Sequence, residues 1–278
     1  MGYKNYNDIR DEIVFYTEKY HFLVNELDQL LAETKKIGYD IPSTYERLLN
    51  NESIKDVYLS TLSPIELSKR NIEFLYKDYD AKYGTNWGWC SLNKAGCIID
   101  YMEEIAQVSE FPVCVEIGIY AGKSAIVTAK ELKRHGKGKL FAIDPWDTIE
   151  ATKGYDGEHY KFWNSINLSD IYNIFINLIK ESECEDYVEV IKKPSDEAPE
   201  IDNIDFLYID GQHTDQAIRD VNKYAKNIKL NGYCMVDDIN QNVWGEVSTK
   251  TPELLIDMGF IQVRNIDDAV VFKRVSIK

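Results

Sequence analysis

The stretch Phe111–Ala125, FPVCVEIGIYAGKSA, decides the fold. Val113-Cys114-Val115 is a short apolar run of strand-forming residues, bounded by Pro112 and closed by Glu116. Gly118 and Gly122 then bracket a turn, and the run from Ser124 to Leu132 reads as a helix. A strand, a glycine turn and a helix N-terminus together form a nucleotide cradle. Gly118 offers backbone angles closed to other residues, and Gly122 lets a ligand or the strand come close to the backbone. The next strand, Lys139–Ile143, ends in Asp144, roughly twenty residues past the second glycine. There an acid is placed to meet ribose hydroxyls in a βαβ unit.

The elements further along repeat the alternation. Tyr187–Ile191 reads as the third strand, leading to Lys193-Pro194-Ser195-Asp196 after a helix from near Ser169 to Ile179. Asp205–Ile209 is the fourth strand and closes on Asp210. A helix follows from about Thr214 to Ile228, with Ala217, Val221, Tyr224 and Ile228 on one face. Gly232–Val236 gives the fifth strand, closing on Asp237-Asp238. Thr251-Pro252-Glu253 is expected to open a last helix ending near Gly259. Phe260–Val263 and Ala269–Lys273 read as an antiparallel pair turned at Asp267-Asp268. Strands alternating with helices predict an α/β fold with an open, doubly wound, mostly parallel sheet.

Upstream, the chain reads as helical. Ile9, Ile13, Tyr16, Tyr20, Leu23, Leu27 and Leu30 recur at spacings of four and three, the seam of an amphipathic helix reaching about Lys36. Ser43-Thr-Tyr-Glu46 and Ser63-Pro64-Ile65-Glu66 each look like a capping box, the second opening a helix to about Gly84. The seam suits either a coiled-coil contact or a helix lying on its own domain. The expected division is a helical N-terminal extension at 1–84, for self-association or for covering the site, and a main domain at 85–278. Ser91 is a plausible cap for the helix ahead of the first strand, and the tryptophans at 87 and 89 read as core or as the mouth of a site. The stretch Lys153–Trp163, with glycines among aromatics, reads as a mobile lid or as an ordinary surface excursion.

The chain carries 47 acidic against 32 basic residues, a formal net charge of -15. No basic stripe is present, so a nucleic-acid backbone is disfavoured as the main partner. The five cysteines have no metal-ligand spacing, and buried reduced thiols are the simplest reading. No stretch reads as a secretory leader or a membrane span, and a cytoplasmic enzyme is the expectation.

Chemistry is expected where strands end, because ligands of such sheets bind at the carboxyl ends. Four strands end there in acids: Glu116, Asp144, Asp210 and Asp237-Asp238. If the fourth and fifth strands are neighbours, Asp210, Asp237 and Asp238 converge, and such carboxylates repel unless something positive sits among them. A hard divalent cation, Mg²⁺ before a transition metal, is the economical solution; solvated acids or helix caps are the bland one. His213 follows Asp210 by three residues and suits a base taking a proton from an alcohol.

A nicotinamide fingerprint would need glycine where Glu116 stands, so GxGxxG is absent. The pattern VExGxxxGxS instead resembles motif I of class I S-adenosylmethionine-dependent methyltransferases, whose fold is Rossmann-like. The ordered runs WGWCSLNKA, VCVEIGIYAGKS, IDPW, DFLYIDGQH and VDD resemble the metal-dependent sugar O-methyltransferase branch, which includes macrocin and mycinamicin O-methyltransferases and cephalosporin hydroxylase-like proteins. The resemblance runs from about Trp87 to the C-terminus. It implies S-adenosylmethionine binding by Glu116, Gly118, Tyr120, Gly122, Ser124, Asp144, Trp146 and Asp210, with Ser195 approaching the adenine. It also implies Mg²⁺ on Asp210, Asp237 and Asp238, with His213 as base and Asp210 sharing in catalysis. The implied acceptor is a small molecule, a sugar or glycoside, and a homo-oligomer is expected. Two rivals stand beside it: a metal-dependent O-methyltransferase of catechol-like phenols, and an idle cofactor-fold interaction module.

Overall fold

The expected apolar runs become strands β1 (Val113–Ile117), β2 (Lys139–Ile143), β3 (Val188–Ile191), β4 (Ile204–Ile209), β5 (Ile228–Val236), β6 (Phe260–Ile266) and β7 (Ala269–Arg274). They pair into one seven-stranded sheet in the order β3-β2-β1-β4-β5-β7-β6. The first five run parallel; β7 is antiparallel to both β5 and β6. The coordinates are a computed structural model describing residues 62–84, 87–239 and 245–277.

The chain divides into two compact units, Met1–Leu67 and Ser68–Lys278. The heptad seam from Ile9 to Leu30 and the box at Ser43 lie outside the described residues. The second box is formed: the Ser63 amide and hydroxyl donate to the Glu66 carboxylate at 2.9 and 2.6 Å, opening α1 (Pro64–Tyr83). Tyr76 and Tyr79 of α1 pack on the buried Trp87 at centroid distances of 5.4 and 5.2 Å. No helix among the described residues is long and apolar enough to cross a membrane.

The alternating pleat gives the sheet two apolar faces. Val115 and Ile117 face a core shared with Val221 and Tyr224 of α7 (Asp215–Tyr224) and Leu255 of α8 (Glu246–Asp257). Cys114, from the same strand, meets Met102 of α2 (Leu92–Val108) on the other face. Also in the fold are α3 (Ala125–His135) and α6 (Leu168–Glu181), with the short α4 (Thr148–Thr152) and α5 (Gly157–Ser165) between β2 and α6. All five cysteines are buried and free.

Three boundaries differ from expectation. The helix expected to reach Ile228 stops at Tyr224, and Ile228 instead starts β5, four residues before Gly232. The last helix starts at Glu246, so Pro252 lies inside it rather than at its opening. An interior proline forfeits one backbone hydrogen bond. Buried Val247, Ser248 and Thr251 pack the turn before it, so tertiary packing overrides the local signal. The Lys153–Trp163 stretch is folded largely into α5.

Candidate active site

The glycine turn is built mainly by packing. Gly118 has φ 86°, and a Cβ there would overlap the Asp210 carbonyl oxygen of the loop after β4. Gly122 has φ 87°, and its Cβ would overlap the Phe175 ring of α6. Its smallness therefore admits a core side chain. The expected approach of a ligand or of the strand is not what fills that space.

Asp144 ties the two loops together. Its Oδ2 accepts the Ile119 and Tyr120 amides at 2.9 and 3.0 Å, and its Oδ1 accepts the Trp146 amide at 2.7 Å. A carboxylate has about four acceptor positions, so three are filled by backbone. Burial raises its pKa against those three amides. Trp146 stacks on Phe175 at 5.4 Å and donates its indole N–H to the Tyr120 carbonyl at 2.7 Å. Tyr120 and Trp146 both hold left-handed backbone, φ 53° and 43°, where L residues are strained.

Glu116, expected to close β1 as an acid at its tip, instead lies one residue inside the strand, which runs on to Ile117, and is 1% exposed. Its Oε1 accepts the Ser124 hydroxyl at 2.6 Å, while its buried Oε2 has no partner. Burial pushes its pKa up to about 8, against the lowering effect of Ser124.

Above this layer, at the carboxyl ends of the parallel strands, opens a cleft of about 390 Å³. Gly118, Tyr120, Ser124, Asp144 and Ser195 line it, as do Asp210, His213, Asp237 and Asp238. Glu116, Gly122 and Trp146 are not among the lining residues and support it from behind.

β4 and β5 are neighbours, with Ile209 opposite Val236, so Asp210 and Asp237 stand side by side at their tips. Burial and then the Asp237 charge push the Asp210 pKa well up. His213 Nε2 lies 3.0 Å from Asp238 Oδ2, and that hydrogen bond is the main reason Asp238 is held below the usual carboxylate range. The His213 amide also donates to the Tyr155 hydroxyl at 3.1 Å. Two participants were not anticipated. Lys94 of α2 places Nζ 2.9 and 2.8 Å from the two Asp237 oxygens, and 2.7 Å from Asp268 Oδ1 on the β6–β7 turn. Burial pulls the Lys94 pKa down, but the two carboxylates outweigh it and raise it. Asp237, Asp238 and Asp268 offer one oxygen each within 4.8 Å of one another. A sequence signal for Lys94 existed: it falls on the stripe Lys94, Ile98, Tyr101, Ile105, where a charge interrupts apolar residues.

Beside Ser195 lies another buried acid, Asp220 of α7. Its Oδ1 accepts the Ser195 hydroxyl at 2.6 Å and Gln216 Nε2 at 2.9 Å, and burial pushes its pKa up to about 6. The mouth of the cleft is aromatic. Trp89, 55% exposed, has Tyr120, Phe162 and Trp163 at 5.1, 6.0 and 6.3 Å between centroids. Thus the two tryptophans divide the two readings: Trp87 is core and Trp89 lines the mouth.

Residues 115–239 match the family described as a methyltransferase domain. No curated protein matches the sequence. The O-methyltransferase NovP superposes with a TM-score of 0.59 at 16% identity, over 76% of this chain and 98% of NovP. A protein from Staphylococcus aureus, provisionally assigned as a caffeoyl-CoA O-methyltransferase, gives a TM-score of 0.51 at 15% identity, over 82% of this chain and all of that one (100%). Sheet order, glycine turn, cleft position and family match agree. Residues 115–239 thus match a methyltransferase domain, on a fold that NovP shares.

Proposed function

We propose that the protein transfers the methyl group of S-adenosylmethionine to a hydroxyl of a small acceptor, a sugar or glycoside. The observation that carries this reading is the convergence of Asp210, His213, Asp237 and Asp238 in the cleft that also receives the glycine turn. A cleft of about 390 Å³ falls in the range that encloses small ligands. Ser195, Asp144 and the Gly118–Tyr120 loop line the cofactor's part of it, and Trp89, Phe162 and Trp163 wall the entrance. Aromatic faces suit the C–H face of a sugar ring.

The carboxylates fit a hard dication. Their ligand atoms are all oxygens, and Asp237, Asp238 and Asp268 bring one each within 4.8 Å of the others. Asp237, Asp238 and Asp268 would hold Mg²⁺, with Asp210, expected from the sequence as a third ligand, adjoining Asp237. When bound, the ion supplies Lewis acidity that lowers the pKa of an acceptor hydroxyl. His213, whose Nε2 lies 3.0 Å from Asp238, is the side chain that receives the proton. Asp210 and Asp237 orient the hydroxyl for in-line attack.

The aromatic entrance also favours a second acceptor class, catechol-like phenols, which lie flat against such walls. The two are separated by methyl transfer to a panel of sugar vicinal diols and catechols, with S-adenosylmethionine binding measured by calorimetry. Turnover of sugar diols with catechols inert is expected. Turnover of catechols alone transfers the proposal to phenols, and absence of cofactor binding ends both.

A further inference from the structure

Lys94 is 2% exposed, and its stem belongs to the apolar face of α2. Its ammonium nevertheless reaches into the acidic cluster, where three oxygens of Asp237 and Asp268 lie 2.7 to 2.9 Å away. Those two residues, with Asp238, are the three whose oxygens come close enough to hold an ion. The ammonium therefore sits on oxygens that a dication in this cluster would use.

We propose that Lys94 is a tethered cation seated in the dication site: it neutralises Asp237 and Asp268 in the resting enzyme, and Mg²⁺ enters only by competing with it. This rests on the cation reading above. An ammonium has three donors and no lone pair, so it neither ligates a metal nor shares one with these carboxylates at close range. Two positive charges a few ångströms apart repel strongly in a partly buried site. The buried stem gives the ammonium little room to withdraw. The cluster thus stays assembled without a metal, and dication binding is weak and reversible. Asp237 is the shared residue, since it stands beside Asp210 on the neighbouring strand tip and also carries the ammonium.

The test is calorimetric titration of Mg²⁺ into the chelator-treated full chain, comparing wild type with Lys94→Met and Lys94→Arg. Binding at least tenfold tighter in Lys94→Met, with Lys94→Arg no tighter than wild type, is the expected result. Melting and S-adenosylhomocysteine binding report whether each variant is folded. Removing a buried cation exposes two carboxylates to each other, so a second pair covers a folding failure. Lys94→Met/Asp268→Asn should bind Mg²⁺ more tightly than Asp268→Asn alone. Equal or weaker Mg²⁺ binding after loss of Lys94 overturns the competition and leaves the cation reading standing. Absence of Mg²⁺ binding in wild type and in every Lys94 variant overturns both.

Discussion

Two regions of this domain carried the functional reading, the glycine turn after β1 and the carboxylates at the tips of β4 and β5, and they turn out to be opposite kinds of structure. The turn is satisfied by the protein itself. Gly118 makes room for the Asp210 carbonyl, Gly122 for Phe175, and Asp144 accepts three backbone amides. The tips are unsatisfied by their own kind: the Lys94 ammonium partners Asp237 and Asp268, His213 Nε2 partners Asp238, and Asp210 is pushed well up in pKa by burial and then by Asp237. A motif legible over fifteen residues is stabilised locally, whereas a cluster gathered from distant segments keeps an electrostatic demand that a ligand can answer.

The comparison is broken most severely at Gly118. Gly118→Ala forces a Cβ onto backbone atoms at φ 86°. Overpacking and left-handed strain together cost roughly 2–6 kcal/mol, a large share of ordinary domain stability. Loss of soluble protein, or a denaturation midpoint well below wild type, is expected; wild-type melting would mean the turn is not packing-limited. At the other region the damage should be kinetic. His213→Ala is expected to lower turnover by about 10²–10⁴-fold, the usual worth of a general base, while S-adenosylhomocysteine affinity stays within a few-fold. Full turnover in that variant removes the base assignment.

The smallest effect sharpens what lies between the two regions. Glu116 is buried with its pKa raised to about 8, above its ordinary value near 4.5. The folded state therefore binds more protons than the unfolded state between those values, and stability falls as pH rises from about 4.5 to about 8. Glu116→Gln should remove that slope. Melting temperature at pH 8 should rise by several degrees, each kcal/mol being worth roughly 2–4 °C in a domain of this size, with little change at pH 4.5. An unchanged pH dependence would show that Glu116 is charged and paired in solution.

What could be read in advance follows the range of the interaction. The Ser63 capping box and the Ser91 cap were legible because their partners lie three residues away. The mostly parallel sheet followed from apolar runs alternating with helices, whereas the adjacency of β4 to β1 and β5 came from the fold. Pro252 misled because a strong local signal was overruled by the packing of Val247 and Thr251. Lys94 escaped because its partner Asp237 is 143 residues away. Asp220 escaped because an acid on a helix is ordinarily solvated, and only the fold places it against Ser195.

The sequence alone determined the alternation of strands and helices, the acids at the strand tips and the position of the glycine turn. Each of these depends on residues within a few positions of one another, where backbone period and side-chain chemistry act directly. Tertiary structure alone decided which acids share a site, which cation balances them and whether a glycine admits a ligand or a core ring. Those outcomes depend on distances between segments far apart in the chain, and electrostatic and steric energies are set by such distances.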